Sequence, residues 1–309
     1  MQIYLPIAEM SLNLFFLIGI GGIVGFLSGL FGVGGGFLLT PLLIFSGIPA
    51  PVAVASVTGQ VVAASTSGAL SYYRHDGIDF HLALYLVLSG IIGAFVGVST
   101  FSALRGAGQL DLVISAGYLI FLGSIGALLL IEAVGSLVRH RAGKQRPYKL
   151  PGKHNWIHGL PLRVRFKRSN LYVSVLPVLL IGLFIGFLGS LLGIGGGFIL
   201  VPALVYLLRV PGNVVIGTSL LQVLSIMAAS TILHAVNSQS VDIVLAVSLM
   251  VGGVTGAQFG ASLGRHLRGE QLRALLGLIV LAVAVRFAWL LLVPPLDPYS
   301  SVIVALGGA

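Results

Sequence analysis

The chain contains no cysteine and few charged residues, and both shortages exclude whole classes of protein. Without cysteine there are no disulfides, no thiolate metal sites and no cysteine nucleophile. Only 8% of the 309 residues are charged and the mean hydropathy is +1.08, so the chain could not cover the surface of a soluble protein of this size. Its apolar residues form blocks near the ~20 residues that a spanning helix needs. The composition predicts an all-α polytopic protein of a cytoplasmic (inner) membrane.

Sequence motifs of the common enzyme classes are also missing. The chain has no GxxxxGK[ST] loop for nucleotide phosphates and no HExxH metal motif. Its Gly-rich pattern lacks the last glycine of the dinucleotide fingerprint. The sequence therefore predicts no enzyme activity, no metal and no cofactor.

The net charge of +9 comes mainly from one segment. Ten of the 17 Lys and Arg residues lie between Arg139 and Arg168, and that segment contains no Asp or Glu. Because two hydrophobic halves flank it, the segment is typical of a cytoplasmic loop that follows the positive-inside rule. We expect it to contact the bilayer, with anionic lipid as a candidate partner, and we expect no nucleic acid.

A Gly-rich sequence occurs twice in the chain. Residues 29–43 read GLFGVGGGFLLTPLL and residues 190–204 read SLLGIGGGFILVPAL. At nearly the same offset, Gln60 matches Gln222 and Asp79 matches Asp242. The repeat predicts an N-terminal transmembrane repeat (12–133), a basic cytoplasmic linker loop (134–171) and a C-terminal transmembrane repeat (172–293).

The apolar segments 36–47 and 197–208 are too short to span a bilayer comfortably. They are either re-entrant half-helices or short tilted spans, so the chain has 8 to 10 transmembrane or half-membrane helices. Arginines favour the inner side for the loop near Arg265, while its counterpart near Arg105 falls outside. Equivalent loops on opposite sides predict inverted repeats.

Each glycine run is expected to break a helix at membrane depth, because glycine holds a helix weakly. Backbone N–H groups freed at the start of the following helix attract anions. Two glutamines, each with Ser or Thr residues two to four positions before it, add neutral donors. The predicted binding residues are Gly34, Gly35, Gly36, Gly195, Gly196, Gly197, Gln60, Gln222, Ser56, Thr58, Thr218 and Ser219. Close helix packing and structural hydrogen bonds between helices are the alternatives.

At residues 32–41 and 193–202 the chain resembles the TauE/SafE family, also called the 4-toluenesulfonate uptake permease family. The resemblance rests on the duplicated GxGGGF…P element, the two apolar halves and the basic central loop. It implies a transporter of small anions, chiefly sulfite, sulfonates and related organic anions, often an exporter, with no enzyme activity and no cofactor. Only the glycine positions are carried over from the family.

The sequence thus predicts a secondary transporter that binds a small sulfur-containing or organic anion between its halves and works by alternating access. An anion channel, a carrier of metal cations and a membrane scaffold or sensor acting through the basic loop stay open as alternatives. The sequence leaves the substrate, the direction, the oligomeric state and the coupling ion, proton or sodium, undecided.

Overall fold

The computed structural model describes residues 2–31, 35–74, 77–141, 163–166, 171–208, 212–264 and 269–292. Within these ranges each half contains five α-helices. The first half has α1 (Leu14–Phe31), α2 (Gly36–Phe45), α3 (Ala50–Arg74), α4 (Phe80–Gly106) and α5 (Leu110–Arg141). The second half has α6 (Val175–Leu192), α7 (Gly197–Tyr206), α8 (Gly212–Leu233), α9 (Ile243–Gly264) and α10 (Gly269–Leu292). One π-helical turn, His234–Ser238, extends α8.

Seven of the described helices are long and apolar enough to cross a membrane, which confirms the predicted all-α polytopic fold. The two short helices α2 and α7 have ten residues each, about 15 Å against a hydrocarbon core of ~30 Å. Each contains a proline, Pro41 or Pro202. In the second half the predicted break therefore separates α6 from the half-length α7. In the first half the residues between Phe31 and Gly35 lie outside the described ranges.

A β-hairpin that the sequence analysis did not predict precedes each half. Strands β1 (Gln2–Leu5) and β2 (Met10–Asn13) are antiparallel, as are β3 (Arg163–Phe166) and β4 (Leu171–Ser174). The two hairpins are offset by 161 residues, like the glycine elements. Strand β3 lies inside the predicted linker 134–171, and α5 continues into that linker as far as Arg141. Most of the basic loop lies outside the described residues.

The first helix of each half packs against the fourth helix of the other half. Helix α1 packs most extensively against α9, and α6 packs in the corresponding way against α4. Glycines let these backbones approach closely: a Cβ at Gly25 would overlap the backbone of Gly253, and one at Gly186 would overlap that of Gly90. Each half is therefore completed by the first helix of the other.

Equivalent helices from the two halves also contact each other. Helix α3 packs against α8, and α5 packs against α10. Contacting pairs along these helices are Thr58 with Thr231, Gly68 with Leu220, Gly123 with Ala284, and Gly126 with Leu281. In each of the two helix pairs, α3 with α8 and α5 with α10, the residue numbers rise on one helix as they fall on the other. The equivalent helices therefore run in opposite directions along their contact.

Candidate functional site

The two glycine elements meet where the halves join. The rings of Phe37 and Phe198, the residues that end each GGGF sequence, stack with centroids 4.6 Å apart and planes 6° from parallel. A Cβ at Gly36 would lie 2.6 Å from the carbonyl oxygen of Gly193. The Thr40 hydroxyl donates to that same oxygen over 3.4 Å. The repeated sequence thus forms one central junction, made from both halves.

The second glycine element is unwound, as the sequence predicts. Helix α6 ends at Leu192 and α7 begins at Gly197, so residues 193–196 are not helical. Gly193, Gly195 and Gly196 have φ angles of +70°, +77° and +74°. Residues with a side chain rarely adopt this left-handed region, so glycine is required at these three positions.

The first element is described only from Gly35 onward, and the predicted binding residue Gly34 lies outside the described residues. Gly35 precedes α2 with φ −74°, an ordinary right-handed conformation. Neither Gly35 nor Gly196 provides a side chain to cap the helix that follows. The N–H of Leu38 donates to the carbonyl of Gly35 over 3.3 Å, and that of Ile199 donates to the carbonyl of Gly196 over 3.1 Å. Helix geometry leaves the N–H groups of the first two residues of α2 and α7 without a partner inside their own helices.

Gln60 and Gln222 are the clearest candidate ligands for a solute. Both side chains have 0% exposure. Among the residues that the structure describes, the amide nitrogen and the amide oxygen of both glutamines lack a hydrogen-bond partner. Leaving such a group unpaired in the protein interior costs about 1–3 kcal/mol. Two glutamines at matching positions of a duplicated chain therefore share an unusual and costly arrangement.

The Gln60 amide lies beside the first glycine element. Its Nε2 atom is 3.7 Å from the position of a Cβ at Gly35, and a Cβ at Gly253 on α9 would overlap it. Two glycines therefore make the room that this amide occupies. Gln222 holds the equivalent place in the sequence of the second half, on α8.

Ser56 and Thr218 take part in a matched pair of contacts between the halves. The Ser56 hydroxyl accepts the backbone N–H of Asp242 over 2.9 Å, and the Thr218 hydroxyl accepts that of Asp79 over 3.1 Å. These bonds join α3 to the start of α9, and α8 to the start of α4. Both hydroxyls keep their own hydrogen for another acceptor.

Asp79 and Asp242 each cap the N-terminus of a helix. The Asp79 carboxylate accepts the N–H of Leu82 over 3.2 Å at the start of α4. Asp242 accepts that of Leu245 over 3.0 Å at the start of α9, and also the N–H of Ile7 over 3.0 Å. A carboxylate at a helix N-terminus is stabilised by the free N–H groups and the helix dipole.

Thr58 and Ser219 donate to carbonyls of their own helices. The Thr58 hydroxyl lies 2.6 Å from the oxygen of Ala55, and the Ser219 hydroxyl lies 2.9 Å from that of Ile216. Both side chains are buried. The structure thus separates the predicted donors into hydroxyls with partners and glutamine amides without them.

Sequence reasoning missed two groups beside the second glycine element. Tyr118 of α5 is fully buried and donates to the carbonyl of Leu192 over 2.6 Å, at the last residue of α6. Thr40 of α2 contacts Gly193, as described above. A tyrosine inside an apolar helix must find a hydrogen-bond partner, which was the available signal for Tyr118.

These features together define a multi-pass cell-membrane protein of two exchanged halves with a polar, glycine-lined centre. The chain belongs to the sulfite exporter TauE/SafE family of membrane transporters, whose model matches residues 17–287. The resemblance seen at the glycine elements is thereby confirmed over nearly the whole chain.

Similar proteins come from distant organisms. A "probable membrane transporter protein" of Xylella fastidiosa (strain Temecula1) is 32% identical over 289 residues, which is 90% of this chain and 95% of that protein. YjnA of Bacillus subtilis, also named a probable membrane transporter protein, is 28% identical over 86% of this chain and 96% of its own length. "Sulfite exporter TauE/SafE family protein 3" of Arabidopsis thaliana is 36% identical over 30% of this chain and 20% of that protein. No solved structure matches the chain.

Proposed function

We propose that this protein is a secondary transporter, not an enzyme, which exports a small sulfur-containing oxyanion of the sulfite or sulfonate class. The observation that carries the proposal is the set of four buried amide atoms on Gln60 and Gln222 without hydrogen-bond partners. The family and the name of the Arabidopsis relative support the choice of sulfite and of export.

The donors suit an anion that must be released as well as bound. Each glutamine offers an N–H₂ group, and the first turns of α2 and α7 offer backbone N–H groups. These donors are neutral, so they give an anion directional hydrogen bonds without the strong attraction of a buried cation. Four hydroxyl side chains on the same helices as the glutamines complete the proposed binding region: Ser56, Thr58, Thr218 and Ser219.

Alternating access requires two arrangements of the halves. The opposite directions of α3 and α8, and of α5 and α10, support an inverted repeat whose two-fold axis lies in the membrane plane. At the junction, Gly36 of the first half meets Gly193 of the second half. Rocking one half against the other would open this junction to each side of the membrane in turn.

Flux into liposomes tests the proposal. Purified protein is expected to move sulfite, thiosulfate or a sulfonate with saturating kinetics, and to show counterflow of labelled anion, with a carboxylate and protein-free liposomes as comparisons. Counterflow requires a carrier whose loaded site faces both sides in turn, so flux that never saturates and shows no counterflow would indicate a channel. Absence of flux for all of the sulfur anions would overturn the proposal.

A further inference from the structure

A buried histidine lies in the π-helical turn at the end of α8. His234 begins the turn His234–Ser238 and has 0% exposure. Its ring stands edge-on to that of Phe101 on α4, with centroids 4.7 Å apart. Single π-helical turns are rare and occur frequently at functional sites, because the extra residue re-aims the side chains around it.

The two ring nitrogens of His234 have different surroundings. Nε2 lies 3.0 Å from the carbonyl oxygen of Ser190, the third-last residue of α6. A carbonyl can only accept, so Nε2 carries a hydrogen whether the ring is neutral or charged. Nδ1 is therefore the atom at which a proton is gained or lost.

Nδ1 has no hydrogen-bond partner within the described part of the chain, and the neighbouring Ser190 hydroxyl has none either. Both residues have 0% exposure. An unpaired imidazole nitrogen in the protein interior can take up a proton without first breaking a bond. Nδ1 is therefore a further unpaired polar atom, apart from the glutamine amides.

Few ionisable groups in the described part of the chain face this site. From α4 it meets Phe101, Ser102 and Arg105, and the Arg105 guanidinium donates to the carbonyl of Ser238 and to the hydroxyl of Ser240. From α6 it meets Ser190. On α5, the Tyr118 hydroxyl is bonded to Leu192, and at the start of α9 the Asp242 carboxylate is bonded to Ile7 and Leu245. Arg105 is thus the charged side chain bonded to the π-helical turn.

His234 is connected to both parts of the proposed anion site. Its partner Ser190 lies three residues before Gly193, where α6 ends and the glycine element begins. One turn before His234, the Thr231 hydroxyl lies 2.8 Å from that of Thr58, two residues before Gln60. A proton gained on Nδ1 therefore adds a charge to a side chain that contacts Ser190, one turn before the second glycine element, and that lies one turn after Thr231, the partner of Thr58.

The site occurs in one half only. At the repeat offsets, His234 is matched by Tyr72, Ser190 by Gly29 and Phe101 by Gly264. The imidazole is therefore not repeated in the first half, so a proton bound there acts on one half alone. We propose, resting on the transport function proposed above, that His234 binds a proton at Nδ1 in each transport cycle and couples anion movement to the proton gradient.

Proton-driven flux and a matched pair of variants test this inference. The substrate is thiosulfate or a sulfonate, because neither changes its charge across the neutral pH range. With one proton coupled per anion, a gradient of one pH unit is expected to change the anion accumulation ratio of the wild-type protein about tenfold. His234→Gln keeps an N–H₂ donor for the Ser190 carbonyl but cannot titrate, so accumulation should become independent of the gradient while counterflow persists.

His81→Gln is the control, because His81 is exposed in the first turn of α4, and it should respond to the gradient like the wild type. His234→Asn provides a second non-titrating variant if the glutamine variant does not fold. A wild-type protein that transports without responding to the gradient, or a His234→Gln protein that still responds, would overturn the inference and leave the transport function standing. A wild-type protein that transports none of the anions would overturn both.

Discussion

Replacing both buried glutamines by leucine is expected to abolish anion transport while leaving the protein as stable as before or more stable. Leucine has a similar volume and no polar atoms, so Gln60→Leu and Gln222→Leu remove four amide atoms that have no partner in the described protein. Each unpaired buried group costs about 1–3 kcal/mol, and that cost disappears with it. Anion transport should therefore be lost while the free energy of unfolding stays the same or rises.

The expected loss of function is large. A hydrogen bond to a charged group contributes about 1.5–3 kcal/mol, so removing one amide donor should weaken anion binding by roughly 10- to 100-fold. The double variant should weaken binding by about 10²- to 10⁴-fold if the two amides act independently. Flux in liposomes measures the loss, and thermal unfolding in detergent measures the stability.

Gln258→Leu is the matched control, because Gln258 is exposed on α9 and belongs to neither glycine element. It should transport like the wild type. If the buried glutamines only hold helices together, the double variant should instead unfold at a lower temperature. A destabilised double variant whose remaining folded fraction still transports at the wild-type rate would refute their role as anion ligands.

A methyl group at Gly36 is expected to separate the two glycine elements and to reduce transport at least about tenfold, a change of ~1.4 kcal/mol. The Cβ of Gly36→Ala would lie 2.6 Å from the Gly193 oxygen and 2.8 Å from Cγ2 of Val61. Because the first of these atoms belongs to the backbone, the junction itself must move. Overpacking of this kind typically costs about 1–3 kcal/mol, which should appear as a lower unfolding temperature.

Gly35→Ala serves as the stability control one residue away. Its φ of −74° suits any residue, and the nearest atom to a Cβ there, Cγ1 of Val24, is at 3.4 Å. This variant should unfold at about the wild-type temperature. An equally stable Gly36→Ala protein with unchanged flux would show that the elements need not touch for transport.

The duplicated glycine elements made the break between α6 and α7 predictable, because an element that recurs at a fixed offset indicates a special backbone conformation. Gln60 and Gln222 could be identified as buried because an amide is expensive in lipid. Their lack of partners could not be predicted, since it depends on which side chains from other helices come near. The hydroxyl groups illustrate the same limit: Ser56 contacts a residue 186 positions away.

Other features had no sequence signal strong enough to predict them. The short hairpins precede the first helix of each half, where residues such as Tyr4 and Ser11 show no long apolar pattern. The π-helical turn at His234 depends on one extra residue in the helix. No distinctive motif in the sequence marks that residue. The stacking of Phe37 on Phe198 could not be predicted, because the sequence does not show that the two repeats face each other.

Diffraction from crystals soaked in selenite tests the central claim most directly, because selenium scatters anomalously and selenite is the selenium analogue of sulfite. The account predicts a selenium site whose oxygens lie within hydrogen-bond distance, about 2.7–3.2 Å, of Nε2 of Gln60 or Gln222 and of the first-turn N–H groups of α2 or α7. That site should be absent from the double leucine variant. Selenite ordered at another place, with the two glutamine amides bonded to protein groups instead, would contradict the account.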